Sequence, residues 1–398
     1  MRIERKLQRV FVVFLAASLT AAALTGPAEA GSFLGEWFLI SPDIGPDTYS
    51  NLGSSIAFNP DRQEYLVVWY NFREVYPDIQ AQRVSADGQL VGGPFYIAAG
   101  PGARRLFPDV AYNSARQEYL VVWVEEPDGE KPNIHARRVG ATGLLIGEPF
   151  ALGGGPRQTG RGWPAVAWAS TSDLYMVVWE RLLDGATTHD IEAQVLSGAG
   201  AALGANFLVA TGTTSLDDLK PDIAYNRSRN EHLIVWTQRD VIVSSYDIWG
   251  RIVTRDGYLL GSDIFIGYQA NFEASVAGTP VAPGFGGYYV VWPKQQPSGD
   301  TNIYGTEVGW DGLTLPYDLI STGASIDRSP IIAYDETEDR FFIVWNRDLD
   351  HGQCEIICFP YQPGPFPGVI ETCAEVSLQP HYPAVASGPG GDFLITWS

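Results

Sequence analysis

The chain has 398 residues, only 18% of them charged, with 43 glycines, 27 prolines, 12 tryptophans, 19 tyrosines and 18 phenylalanines. So many turn-formers and aromatic residues, with so few charges, exclude a coiled coil, a helical bundle and a disordered chain. The balance of 26 basic against 46 acidic residues, net −20 at pH 7, repels phosphate backbones and excludes nucleic acid as a partner.

The N-terminus reads as an export signal. Arg2, Arg5, Lys6 and Arg9 form a basic lead, Val10 to Leu24 an apolar stretch, and Ala28-Glu29-Ala30 a small-residue cleavage site. The stretch is short for a membrane span, and no cysteine follows the site to carry a lipid anchor. Cleavage after Ala30 predicts a secreted or periplasmic protein without a membrane span, a monomer whose residues 31–398 form one domain.

That domain is a repeat. The phrase FPDVAYNSARQEYLVVW ends at Trp123 and KPDIAYNRSRNEHLIVW ends at Trp236, with equivalents at Trp69, Trp179, Trp292, Trp345 and Trp397. Each unit has the same grammar. A short first strand (Asp109 to Tyr112) turns into a continuous apolar second strand (Tyr119 to Trp123), a run that predicts burial on both faces. After a variable loop, a third strand opens with an acid or amide before isoleucine, as in Asp78-Ile79, Asn133-Ile134 and Asp190-Ile191. A glycine turn such as Asp87-Gly88 then feeds a fourth strand.

Four antiparallel strands repeated seven times predict an all-β, seven-bladed β-propeller. The chain ends complement each other. Residues 35–40 match only a fourth strand and Pro383 to Trp397 only the first two, so N- and C-terminal strands close the last blade. One strand is then missing, and three-stranded closure is expected. The tandem VVW…DI units resemble those of bacterial exported β-propeller proteins, a largely uncharacterised group. That resemblance implies the fold and no particular activity. The sialidase pattern Ser-x-Asp-x-Gly-x-x-Trp is absent.

Residues repeated in every blade build blades, so the tryptophans are read as packing and the acid or amide before isoleucine as a cap on the preceding loop. Residues that break the repeat are the candidates for function. The loops after each VVW strand share a face with the loops between blades, where binding sites usually form on a rigid scaffold. On that face Arg104, Arg105, Arg157, Arg161 and Trp163 are the ligand-binding candidates, four guanidinium groups beside an aromatic ring being suited to an anionic sugar or carboxylate. Asp348 and Asp350, next to His351, have the Asp-x-Asp start of a calcium loop but lack its later ligands. No cofactor is predicted, with calcium there as the secondary option.

Of the three cysteines, Cys358 and Cys373 flank Pro363-Gly364-Pro365 and are paired across a hairpin, leaving Cys354 free. No nucleophile elbow, zinc motif or phosphate loop occurs. The expectation is therefore a non-catalytic recognition or scaffold module for an extracellular glycan or protein. The alternative is a carbohydrate-active enzyme, a glycosidase or lyase using loop carboxylates among Glu125, Glu126, Asp184, Asp217, Asp218 and Asp240. Two carboxyl groups facing each other across the pore would favour it.

Overall fold

Each VVW run becomes the second strand of a four-stranded antiparallel sheet. The computed structural model describes residues 11–15, 38–40, 50–72, 76–152, 160–183, 185–268, 274–278, 287–323, 325–336, 339–349, 354–361, 371–376 and 382–397. Blade one consists of Ser50–Asn59, Glu64–Phe72, Asp78–Ser85 and Leu90–Ala98, paired in that order. Blades two, three and four repeat the arrangement over 103–151, 160–210 and 216–267. Blades five and six, 275–319 and 326–376, are each sheets of the same kind, joined by a single parallel pairing of Thr301 with Ile326.

The first strands touch one another in cyclic order, from blade one to blade seven and back, so the sheets form a closed ring. Trp69, Trp123, Trp179, Trp236, Trp292, Trp345 and Trp397 are all at most 2% exposed. Hydrophobic clusters bridge neighbouring sheets: one joins Leu66 and Val68 of blade one to Tyr119, Val121 and Trp123 of blade two. The apolar runs are buried on both faces because a blade in the ring has a neighbour on each side.

The closing blade differs from expectation. Its order is Phe38–Leu39, Phe11–Leu15, Phe393–Trp397 and Ala384–Ser387, so residues 11–15 fill the third-strand position. Their backbone pairs antiparallel with the last strand, Phe11 opposite Trp397 and Leu15 opposite Phe393. A β-rich apolar run satisfies the ladder groups that Phe393–Trp397 would otherwise leave unpaired. The remainder of the signal-like segment, including Ala28 to Ala30, lies outside the described residues.

The acid before isoleucine also reaches the loop that follows its blade. Asp78 Oδ1 accepts the Gly100 N–H and Asp190 Oδ1 the Gly212 N–H, each 3.0 Å away. These carboxylates therefore pin the loop that leaves the blade. Cys358 and Cys373 form a disulfide with Cα atoms 5.8 Å apart, and Cys354 is a buried free thiol. Among the described residues no helix is long and apolar enough to cross a membrane.

One local irregularity positions the site. The first strand slips register at the same place in five blades, between Leu52 and Ser55, Leu106 and Asp109, Gly162 and Ala165, Leu219 and Asp222, and Arg328 and Ile331. Within these bulges, and at the matching point of blade seven, one residue is left-handed. These are Gly53 (φ 52°), Phe107 (52°), Trp163 (47°), Lys220 (50°), Ser329 (48°) and Tyr382 (50°). A bulge bends its strand and re-aims the side chains around it. Among the described residues it turns one residue in each of six blades toward the ring's centre.

Candidate active site

The bulged first strands surround an axial cavity of about 410 Å³. Its wall contains Phe107, Trp163, Lys220, Ser329 and Tyr382 from the left-handed positions, and Asp109 and Asp222 from just beyond them. At the equivalent of Asp109 and Asp222 the other blades carry Ser55, Ala165, Ser275, Ile331 and Ala384. Among the described residues, only blades two and four thus place an acid in the wall.

Both acids are tied to neighbouring blades. Asp109 Oδ1 accepts the Ser55 hydroxyl at 2.6 Å and Oδ2 the Val166 N–H at 2.7 Å, linking blades one, two and three. Asp222 Oδ2 accepts the Val276 N–H of blade five at 2.9 Å, and Oδ1 its own neighbour's N–H, Ile223, at 2.8 Å. Burial holds Asp109 above the usual carboxylate range despite these hydrogen bonds. Burial also pushes Asp222 up to about 6, and the negative charge of Asp109 adds to the shift. Both carboxyls line the same cavity, one from blade two and one from blade four.

Beside the wall, the seam between blades three and four gathers further titratable groups. Glu180 Oε1 accepts the backbone N–H of cavity-lining Lys220 at 2.6 Å, and burial pushes this carboxyl up to about 7. Asp217 Oδ1 receives the His189 N–H at 2.6 Å and lies 2.8 Å from His189 Nδ1. That hydrogen bond raises the imidazole pKa. Burial pushes Asp217 upward, but His189 outweighs it and holds the carboxylate below its ordinary value. Asp218, buried and pushed up to about 6, accepts from Trp236 Nε1 at 3.1 Å and Gln238 Nε2 at 2.9 Å.

The sequence candidates disperse. Arg105 is buried, donating to the Gly100 carbonyl at 2.9 Å, with Asp78 and Glu125 each 3.5 Å away. Arg161 is buried between Glu192 Oε2 and the Asn133 side-chain oxygen, both at 3.4 Å. Arg104 pairs with Glu126 at 2.9 Å, and Arg157 lies outside the described residues. Of the five, Trp163 lines the cavity, stacked on Phe107 at 3.9 Å between ring centroids. Arg105 and Arg161 are drawn into the blade seams because each meets a carboxylate there, and a buried guanidinium needs such a partner.

Among the carboxylates, Glu125 accepts the Trp123 indole N–H at 3.0 Å, and Asp240 caps a turn through the Ile242 and Val243 N–H groups. Asp184 lies outside the described residues, as do Asp350 and His351. Asp348 is paired with Arg328 at 3.2 Å and accepts the Cys354 thiol at 3.4 Å. Asp109, Asp222 and Glu180 were not singled out from the sequence. A signal for the first two was present: an acid directly after the Phe-Pro and Lys-Pro pairs of blades two and four, where other blades have small or apolar residues.

No protein-family model matches the sequence, and no curated protein matches it. Among solved structures, the chain resembles an α-L-arabinanase of Penicillium chrysogenum complexed with arabinobiose, at TM-score 0.52 and 14% identity, covering 75% of this chain and 88% of that one. It equally resembles a GH93 α-L-arabinofuranosidase of Fusarium graminearum, at TM-score 0.52 and 14% identity over 74% and 88% of the two chains. A Hadza microbial sialidase matches over 96% of this chain and 85% of its own, with TM-score 0.48 and 11% identity. At these identities the likeness establishes the fold. It also corrects the expectation of a non-catalytic recognition or scaffold module. That expectation rested on the absence of a local motif, whereas the arabinanase and the arabinofuranosidase favour the alternative reading of a carbohydrate-active enzyme.

Proposed function

We propose that this protein is a propeller-fold carbohydrate-active enzyme that cleaves glycosidic bonds of an extracellular glycan. The observation that carries this reading is the pair of acids in the axial cavity, Asp109 and Asp222, the latter raised to about 6 by burial and by the former. Glycoside cleavage needs one carboxyl that gives a proton to the leaving oxygen and one that acts as base or nucleophile. Asp222, pushed up to about 6, is the proton donor in this scheme, and Asp109, on the wall of the same cavity, is the base or nucleophile. Glu180 holds the Lys220 backbone at the rim and so positions the segment that leads to Asp222. The arabinose-directed neighbours make arabinan the first substrate to try.

Export belongs to the same reading. Cleavage after Ala30 would deliver the propeller to the periplasm or medium as a monomer, among exported bacterial propellers with VVW…DI repeats, and would remove residues 11–15, so that the exported form closes its last blade with three strands. The Cys358–Cys373 disulfide supports an oxidising compartment.

Sugar release should be measured from arabinan, short arabino-oligosaccharides and nitrophenyl furanosides. The expected result is turnover by the native protein that falls at least a thousandfold in Asp222→Asn and in Asp109→Asn, both still folded. Turnover unchanged in both variants would remove the assignment of these residues. A folded protein inactive on all three substrate types and on a panel of neutral polysaccharides would remove the enzymatic reading itself.

A further inference from the structure

The left-handed position of the first strand has one backbone conformation and a different side chain in every described blade. We infer that Gly53, Phe107, Trp163, Lys220, Ser329 and Tyr382 form a specificity collar around the cavity mouth, and that this collar admits an uncharged sugar end and refuses an anionic one. The inference rests on the carbohydrate-active reading and names the substrate class for it.

Two observations carry it. The first is that one side of the collar is apolar. Tyr70 packs edge-on to Phe107 at 5.6 Å, Phe107 stacks on Trp163 at 3.9 Å, and the Lys220 ammonium sits 4.5 Å from the Trp163 ring centroid. Gly53 is part of this assembly, because a Cβ there would lie 2.7 Å from Tyr70. Ser329, with Ser54, Ser55 and Ser275 of the wall, supplies hydroxyls. A sugar ring has the same division, C–H faces against hydroxyl edges, and aromatic surface beside a few polar groups is how such sites orient ligands.

The second is charge. The lining contains two acids, Asp109 and Asp222, and one cation, Lys220, whose ammonium lies on the Trp163 ring. Arg105 and Arg161, suited by type to grip a carboxylate, are buried in pairs within the seams. Among the described residues, a uronate or sialate entering this cavity would meet acids without a guanidinium to receive it. A left-handed conformation costs a non-glycine residue about 1 kcal/mol or more. Bearing that cost at Phe107, Trp163, Lys220, Ser329 and Tyr382 puts these side chains where a regular strand would not.

The test is equilibrium binding by calorimetry, with arabinotriose as neutral probe and trigalacturonic acid and sialyllactose as anionic probes. Trp163→Asn and Phe107→Asn keep a residue that tolerates the left-handed conformation. The expected result is binding of arabinotriose at least tenfold tighter than either anion, weakened at least tenfold in both variants. Tighter binding of an anionic probe overturns the inference, as does binding of none of the three. If a variant fails to unfold cooperatively, the comparison of probes on the native protein still decides. Hydrolysis is read separately. Neutral binding lost in the variants without turnover keeps the collar and removes the enzyme, whereas turnover whose KM is unmoved in Trp163→Asn and Phe107→Asn removes the collar and keeps the enzyme.

Discussion

Asp109 of blade two accepts the backbone N–H of Val166 in blade three at 2.7 Å, so a side chain of one sheet completes the hydrogen bonding of the next. The same carboxylate takes the Ser55 hydroxyl of blade one, and Asp222 repeats the link from blade four to Val276 of blade five. In this arrangement the groups proposed to do chemistry also hold the ring together. Ala substitutions would confuse the two roles, and Asn substitutions separate them better because they retain an acceptor.

Asp222→Asn should change how stability depends on pH. A carboxyl whose pKa rises on folding, here from 3.8 to about 6, binds its proton more tightly in the folded chain. Its contribution is complete below about pH 4 and is lost as pH rises through 6. Melting temperatures measured from pH 4 to 7 should fall less steeply in the variant. An identical slope in variant and native protein would show that Asp222 titrates normally.

His232 gives the opposite sign. It stands where other blades have Tyr65, Tyr119 and Tyr175, is fully buried, and neither ring nitrogen has a hydrogen-bond partner. Burial lowers its pKa to about 3. Since the unfolded chain takes up the proton first, stability is full above about 6.5 and declines as pH falls toward 3. His232→Tyr should flatten that decline. Urea unfolding at pH 7 and pH 4.5 tests it, and an equal loss in both proteins would refute the role.

Reducing the Cys358–Cys373 bridge should destabilise the protein by about 3 kcal/mol, the usual scale for a loop of this size, 15 residues apart in sequence. Denaturant midpoints with and without reductant measure this. Cys354 is buried, with its thiol pushed up to about 11 by burial and by Asp348, so alkylation of the native protein should leave it unmodified.

Ser329 is strained at φ 48° without packing an aromatic ring into the collar. Ser329→Gly should therefore stabilise the fold by about 0.5–1 kcal/mol, and Ser329→Val should destabilise it by more. Thermal unfolding of the two variants gives the comparison, and equal melting temperatures would show that the bulge carries no strain.

The amino-acid sequence by itself determined the ring. Apolar second strands recurring about every 55 residues require a neighbour on both faces, and seven such sheets satisfy one another only by closing. Pairing of Cys358 with Cys373 was legible for the same reason, since strand register follows from period and turns. The site was not legible in this way. Arg105 and Arg161 look like ligands along the chain, yet they lie in seams opposite carboxylates from other strands or blades, and an unpaired buried guanidinium costs too much to be left facing a cavity. Asp109 and Asp222 lie 113 positions apart and look like ordinary strand residues until ring closure brings blades two and four to one axis. Tertiary structure decided the site because a charge's role depends on what closes around it, and local periodicity carries no information about that distance.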